Sequence, residues 1–288
     1  LERKGIISIF PRKIEREFFR FETSGLKKVV TLNEEQERAI QEILQHKGHF
    51  QVHLLYGITG SGKTEVYIPI IRSYLQKGEG VIFLIPEIAL TPQMVERFQA
   101  EFGDILAISH SQLSDRQRLE QWQRIAKGKC RLVIGARSAI FSPMPNLGLI
   151  IVDEEHEPTY KHDAAPRYHA RDVAAALAHV SGCILLLGSA TPSVESYAAA
   201  LNSRMHLLEL LERVGIGRDH AGLPRPQALP LPPVRLVDMR RELQQGNRSI
   251  FSRALHEGLE QILRRKEQAI LFLNRRGAAS FIMCRDCG

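Results

Sequence analysis

The sequence predicts an α/β fold: one parallel sheet with helices on both faces, followed by the start of a second α/β unit. Three observations predict it. Between about residues 50 and 210, short β-branched runs alternate with amphipathic helical stretches. The runs are apolar nearly throughout instead of alternating with polar residues, as strands covered on both faces are. A glycine-rich loop joins the first run to the first following helix, the usual entry to a ligand crevice in such sheets.

Six strands are expected, at residues 51–55, 81–85, 105–108, 131–134, 149–152 and 183–187. Helix ends are marked between them. Thr91-Pro92 reads as an N-cap followed by proline at the first helical position, and Gly103 closes that helix. Ser114 caps a helix that runs through Trp122 to Gly128. Pro69, inside a helical stretch, predicts a kink or a late start. The dipeptide Thr191-Pro192 predicts another N-cap. Residues 213–233 crowd glycines and prolines together and read as a linker. A strand at 234–237, a helix near 251–266 and a strand at 269–273 then open the second unit.

Hydrophobic residues make up 44% and charged residues 25%, with no type dominant, which excludes a largely disordered chain, a collagen or a coiled-coil rod. The apolar run 81–85 is too short for a bilayer span, which needs roughly 20 residues. No apolar leader opens the chain. It starts without Met and stops at Cys-Arg-Asp-Cys-Gly, so a fragment of a longer protein is expected. Cys130 and Cys183 read as buried thiols, which points to a reduced, cytoplasmic protein. The net charge of +7 favours polyanion partners.

The residues from Gly57 through Thr59, Gly60, Ser61, Gly62 and Lys63 to Thr64 match G-x-x-x-x-G-K-[ST] between a strand and a helix. Glycines let the backbone N–H groups wrap a phosphate, and the helix start presents its positive end to it. Lys63 would reach the β- and γ-phosphates, and Thr64 would ligate Mg²⁺. Some 90 residues on, a strand runs into Asp153-Glu154-Glu155-His156. Asp153 is placed to hold the Mg²⁺ shell and Glu154 to orient and deprotonate the attacking water. His156 either couples this site to the next motif or caps a turn. That next motif is Ser189-Ala190-Thr191, whose hydroxyls are in reach of Asp153, Glu154 or His156.

This order of motifs resembles the superfamily 2 helicases. Three longer stretches narrow the resemblance to the PriA family of replication-restart helicases: Pro86-Glu87-Ile88-Ala89-Leu90-Thr91-Pro92-Gln93, Gly135-Ala136-Arg137-Ser138-Ala139-Ile140-Phe141 and Leu271-Phe272-Leu273-Asn274-Arg275-Arg276-Gly277. The resemblance runs from about residue 30 to 288. It implies a RecA-like ATP-binding lobe over 29–212, a linker over 213–233 and the start of a second lobe over 234–288. Residues 1–28 would be a lead-in arm or the tail of a winged-helix domain.

The resemblance also implies roles. Gln36 would read the adenine edge. The stretch 157–172 resembles the aromatic-rich loop of PriA and RecQ-type helicases. In it Tyr160, Tyr168 and His169 would stack on bases, and Lys161, Arg167 and Arg171 would meet phosphates. Residues 86–93 and 135–141 would line the single-strand track, with Arg137 as a phosphate contact. Cys284 and Cys287 would be half of a tetrahedral Zn²⁺ site of the longer protein, the other ligands lying elsewhere. The implied activity is an ATP- and Mg²⁺-dependent 3′→5′ DNA helicase that acts in primosome assembly on forked and single-stranded DNA. Single-strand-binding protein and other primosomal proteins would be its partners. A different superfamily 2 motor, or a DNA-binding scaffold that loads partner proteins, are the alternatives. The family's arginine finger would fall beyond residue 288, so the 288 residues alone should bind nucleotide yet hydrolyse it poorly.

Overall fold

The computed structural model describes residues 31–110, 113–218 and 224–272. They fall into two units that divide after Pro230. In the first unit, α1 (Glu34–Gln45) precedes β1 (Gln51–Gly57), α2 (Lys63–Gln76), β2 (Gly80–Leu84) and α3 (Pro92–Phe102). Next come β3 (Leu106–Ser109), α4 (Asp115–Ala126), β4 (Leu132–Gly135) and β5 (Leu147–Asp153). The small strands β6 (Lys161–His162) and β7 (Tyr168–His169) lead into α5 (Ala170–Ser181), β8 (Ile184–Ser189), α6 (Val194–Leu201) and β9 (His206–Leu210). The hairpin β10 (Arg213–Arg218) and β11 (Pro224–Leu229) follows.

The main sheet has seven strands in the order β3-β4-β2-β5-β8-β1-β9, all parallel. Each strand divides its side chains between two apolar layers. Leu55, Phe83, Ile151 and Leu186 face one layer, which α1, α2 and α3 cover. Their neighbours Leu54, Ile82, Ile150 and Leu185 face the other, under α4, α5 and α6. This two-sided burial explains why the strands read as continuous apolar runs.

The helix ends follow local chemistry. Asn33 and Gln36 form a reciprocal capping box on α1, and Ser114 and Gln117 form another on α4. Thr91 caps α3 with Pro92 behind it, and Gly103 ends it.

Several expectations change. The sheet has a seventh strand, β9, whose Leu208 and Leu210 are buried beside β1. Residues 213–229 are not a plain linker: β10 and β11 pair antiparallel, and the Val214 N–H donates to the Gly60 carbonyl at 2.9 Å. Helix α2 is continuous across Pro69, because its buried face of Val66, Ile70, Ile71 and Tyr74 outweighs the one missing backbone bond. The cap of α6 is Ser193, not Thr191.

In the second unit, α7 (Met239–Gln244) and α8 (Arg253–Arg264) are joined through Glu242, which accepts from the Asn247 side chain at 2.6 Å and the Arg253 N–H at 3.0 Å. Residues 234–237 and 269–272 form no strand, and Val234, Leu236, Ile270 and Phe272 are exposed. Strands need partners, and these have none among the described residues. Residues 1–28, Cys284 and Cys287 lie outside the described residues.

Phe83 is fully buried, with its ring 5.3 Å from that of Tyr67 and 5.6 Å from that of Phe98. Phe83→Ala should destabilise the first unit by about 3–5 kcal/mol. Val180→Ala, on the exposed side of α5, should stay within about 0.5 kcal/mol of the parent. Urea unfolding of the two variants checks the contrast.

Candidate nucleotide site and its flanking aromatic hairpin

The parallel register brings three strand ends together. Tyr56 of β1 lies opposite Ser189 of β8, and Asp153 of β5 lies opposite Gly188. The loop after β1 therefore opens beside the Asp153-Glu154 pair.

That loop is tied down from several sides. The Ser61 N–H donates to the Ile58 carbonyl at 2.9 Å. Gly62, at φ +78°, turns the chain into α2, a conformation that strongly favours glycine. Thr59 is exposed at the tip, and Thr64 is the second residue of α2. The Ser61 hydroxyl is buried with no hydrogen-bond partner. A buried polar atom left unpaired is costly. Together with a helix start and a glycine-rich backbone, it is the chemistry that takes a phosphate. The Lys63 ammonium donates to the Gly57 carbonyl at 3.0 Å and lies 3.5 Å from a Glu154 carboxylate oxygen, so it bridges the two halves of the site.

Asp153 accepts a hydrogen bond from the Tyr67 hydroxyl at 2.8 Å. Burial raises the Asp153 carboxyl to about 6, and Glu154 pushes the same way, while the Tyr67 hydrogen bond and Lys63 oppose both. Glu154 sits at φ +45°, uncommon for a side chain of its size and typical of strained functional positions. His156 couples the site to the next motif: its Nδ1 is 2.8 Å from the Ser189 hydroxyl and 3.7 Å from Glu154, and its Nε2 is 3.4 Å from the Thr191 hydroxyl.

Other site residues differ from expectation. Gln36 is buried, and its amide is engaged within the protein. Its Nε2 donates to the Ser61 carbonyl at 2.8 Å, and its Oε1 accepts from the Asn33 N–H. It braces the phosphate loop and does not present a free edge to adenine. Tyr160 is buried, and its hydroxyl donates to the Asp153 carbonyl at 2.6 Å, so it is an anchor and not a stacking platform. Arg171 does not face solvent as a phosphate contact would. Its guanidinium donates to the buried Glu155 carboxylate at 2.7 Å and to Ser193 at 2.8 Å. Glu155 also accepts from the Ser193 N–H at 2.6 Å and the Ser196 hydroxyl at 2.9 Å.

The remaining aromatic and basic residues form a small hairpin of β6 and β7. Tyr168 stacks on His162 and meets Phe141 edge-on, with ring centres 5.1 and 5.0 Å away. His169 caps α5 through its Nδ1. Arg167 donates to the Asp163 carbonyl, and Lys161 is exposed. The Arg137 guanidinium donates to the carbonyls of Thr159 and Lys161 at 3.0 and 2.7 Å, which fixes the hairpin to the 135–141 segment.

Sequence reasoning missed Tyr67 and Glu155. Tyr67 lies one helical turn after Lys63, and that spacing was its signal. Glu155 gave no signal beyond its neighbours, because only the turn after β5 separates a buried acid from a reactive one.

A nucleotide-binding α/β lobe of helicase type is what this fold and site define. The chain belongs to the DEAD/DEAH box helicase family, whose model matches residues 33–200. It is similar to the replication restart protein PriA of Bacillus subtilis, at 46% identity over the full chain and 34% of that protein. The PriA of Synechocystis matches equally, at 46% and 34% of its length, and that of Treponema pallidum at 41% and 41% of its length. The chain thus spans about a third to two-fifths of the length of these curated relatives. Among solved structures, the DUF1998 helicase MrfA shares the fold at a TM-score of 0.52 and 21% identity, over 87% of this chain and 37% of that one. No helix among the described residues is long and apolar enough to cross a membrane.

Glu155→Ala strands Arg171 and should cost about 3–5 kcal/mol at neutral pH. Burial alone would raise the Glu155 carboxyl, but the Ser193 N–H, Arg171 and Ser196 outweigh it and hold the group below the ordinary 4.5. A depressed carboxylate stabilises the fold above its unfolded value and loses that contribution as pH falls through its folded one. Chemical denaturation of the parent and Glu155→Ala from neutrality down through the glutamate range should therefore show the gap narrowing at acid pH.

Proposed function

We propose that this chain is the ATP-binding lobe, with the start of the next unit, of a DNA helicase that acts in replication restart. One observation carries the reading: the aromatic hairpin is fastened to the catalytic strand end. Tyr160, one residue before β6, holds the Asp153 carbonyl, and Arg137 clamps the hairpin backbone. A nucleic acid that touches Tyr168, Arg167 or Lys161 pulls on the segment that positions Asp153 and Glu154.

The helicase family uses ATP and Mg²⁺, and the unpaired Ser61 hydroxyl and the glycine cradle fit a polyphosphate. ATP with Mg²⁺, when bound, supplies the phosphoryl-transfer chemistry. Gly57, Gly60 and Gly62 give the loop its path. Lys63 would neutralise the terminal phosphates, Thr64 and Asp153 would hold the Mg²⁺, and Glu154 would serve as the base toward the attacking water. His156 relays the state of Glu154 to Ser189 and Thr191.

The resemblance to the replication-restart relatives further supports 3′→5′ polarity, forked and single-stranded DNA as substrate, and cytoplasmic action with single-strand-binding and primosomal proteins. It also supports a Zn²⁺ site that includes Cys284 and Cys287.

Two measurements test this reading. Calorimetry with ADP·Mg²⁺ should give binding that Lys63→Ala weakens by about 1.5–3 kcal/mol, roughly 10- to 150-fold. The double variant Arg167→Ala, Tyr168→Ala should keep that binding but bind single-stranded DNA about fivefold or more weakly, since base stacking is worth about 1–3 kcal/mol. Equal DNA affinity in the double variant would remove the hairpin from the DNA path.

A further inference from the structure

On the side of β1 away from Asp153 and Glu154, a second cation lies against the glycine-rich loop. In the strand order β5-β8-β1-β9, the two carboxylates stand two strands to one side of β1, and β9 stands on the other. From the end of β9 the chain runs over the loop. The Ile58 N–H donates to the Leu210 carbonyl at 3.1 Å, and the Val214 N–H to the Gly60 carbonyl at 2.9 Å. Between these two bonds, the Glu212 N–H donates to a Glu35 carboxylate oxygen at 3.1 Å, next to the Gln36 that braces Ser61.

Arg213, the first residue of β10, is the side chain that this path delivers. It lies along Gly60: a Cβ placed there would stand 3.1 Å from the Arg213 Cγ and Nε and 3.5 Å from its Cδ. Gly60 is at φ +85°, so the position requires the left-handed region and also leaves room for the arginine stem. Arg213 is half-buried, and its guanidinium has neither a hydrogen-bond acceptor nor a carboxylate partner among the described residues. A planar cation fixed beside a ligand loop and left unpaired is free to meet a ligand.

The direction of the ligand decides which part of it Arg213 meets. A nucleotide whose terminal phosphate faces Lys63 and Glu154 has its nucleoside end directed away from β5, toward β9 and Arg213. On that side the Gln36 amide is already engaged with the Ser61 carbonyl, so a base finds there a flat cation and no free amide edge. We infer that Arg213 is the base-contacting residue of the nucleotide site, its guanidinium lying flat on the purine, so that stacking and not edge hydrogen bonding holds the base. The inference rests on the nucleotide-binding reading above and adds to it a residue from the β10–β11 hairpin, outside the glycine-rich loop and the acidic motif.

The test compares two ligands on the same chain. ADP·Mg²⁺ is measured by calorimetry, and Mg²⁺-tripolyphosphate, which carries phosphates without a base, by its displacement of ADP. Arg213→Ala should weaken ADP·Mg²⁺ by about 5- to 30-fold and leave tripolyphosphate within about twofold of the parent. Arg213→Lys keeps the charge, loses the plane and should weaken ADP·Mg²⁺ over the same range. A parental urea midpoint checks that each variant is folded. Equal loss of both ligands would make Arg213 a phosphate contact or a brace for the loop and overturns the base contact. Full ADP affinity in Arg213→Ala overturns it too, and full ADP affinity in Arg213→Lys overturns the stacked plane in favour of charge alone. In all three cases the nucleotide-binding reading stands, because the parent still binds ADP. If the parent binds neither ligand, that reading falls and the base contact with it.

Discussion

The hydrogen bond from Tyr67 to Asp153 crosses from α2 to the end of β5, and it exists because Gly188 has no side chain. A Cβ on Gly188 would overlap the Tyr67 hydroxyl and crowd the Asp153 carboxylate. Through this contact, the helix that begins with Lys63 and the strand that ends in Asp153 are set against each other at a fixed distance. The Lys63–Glu154 contact follows from that closeness, while burial raises the Asp153 carboxyl against the pull of Tyr67 and Lys63. Tyr67 is itself buried and pushed far above the usual phenol range by burial and by Asp153, so it stays a donor.

The four acidic-motif residues divide the work by where the turn after β5 points them. Asp153 and Glu154 look toward the phosphate loop. Glu155 turns inward and locks α6 and Arg171 in place. His156 reaches the end of β8. One short turn therefore joins the Asp153-Glu154 pair, a buried ion pair and a link to the neighbouring strand. The aromatic hairpin grows from the same turn, so it stands beside the Asp153-Glu154 pair.

Most of the sheet was legible, because strands buried on both faces announce themselves as unbroken apolar runs. β9 escaped because it is an edge strand that buries only Leu208 and Leu210 fully. The place of the glycine-rich loop between β1 and α2, and of Asp153-Glu154 at the end of β5, was legible because strong strand and helix signals flank both. Tyr160 and Arg171 were not, because an aromatic or basic residue in a polar loop reads the same whether it meets a base or props up the backbone. Burial decides between these roles, and burial is a property of the packed chain. Gln36 shows the same limit: one amide suits an adenine edge or a loop carbonyl equally well.

The β10–β11 hairpin sets a mechanical consequence. Because the Val214 N–H is bonded to the Gly60 carbonyl and the Ile58 N–H to the Leu210 carbonyl, the chain leaving the sheet is stitched to the phosphate loop itself. The free tether to the second unit therefore starts near Pro230, not at Arg213, and ends at the Asp238 cap of α7. Pro230, Pro232 and Pro233 fix φ at three points along that segment and remove three backbone donors from it. At its start the segment is held, through the β10–β11 pairing, to the backbone of the glycine-rich loop at Gly60.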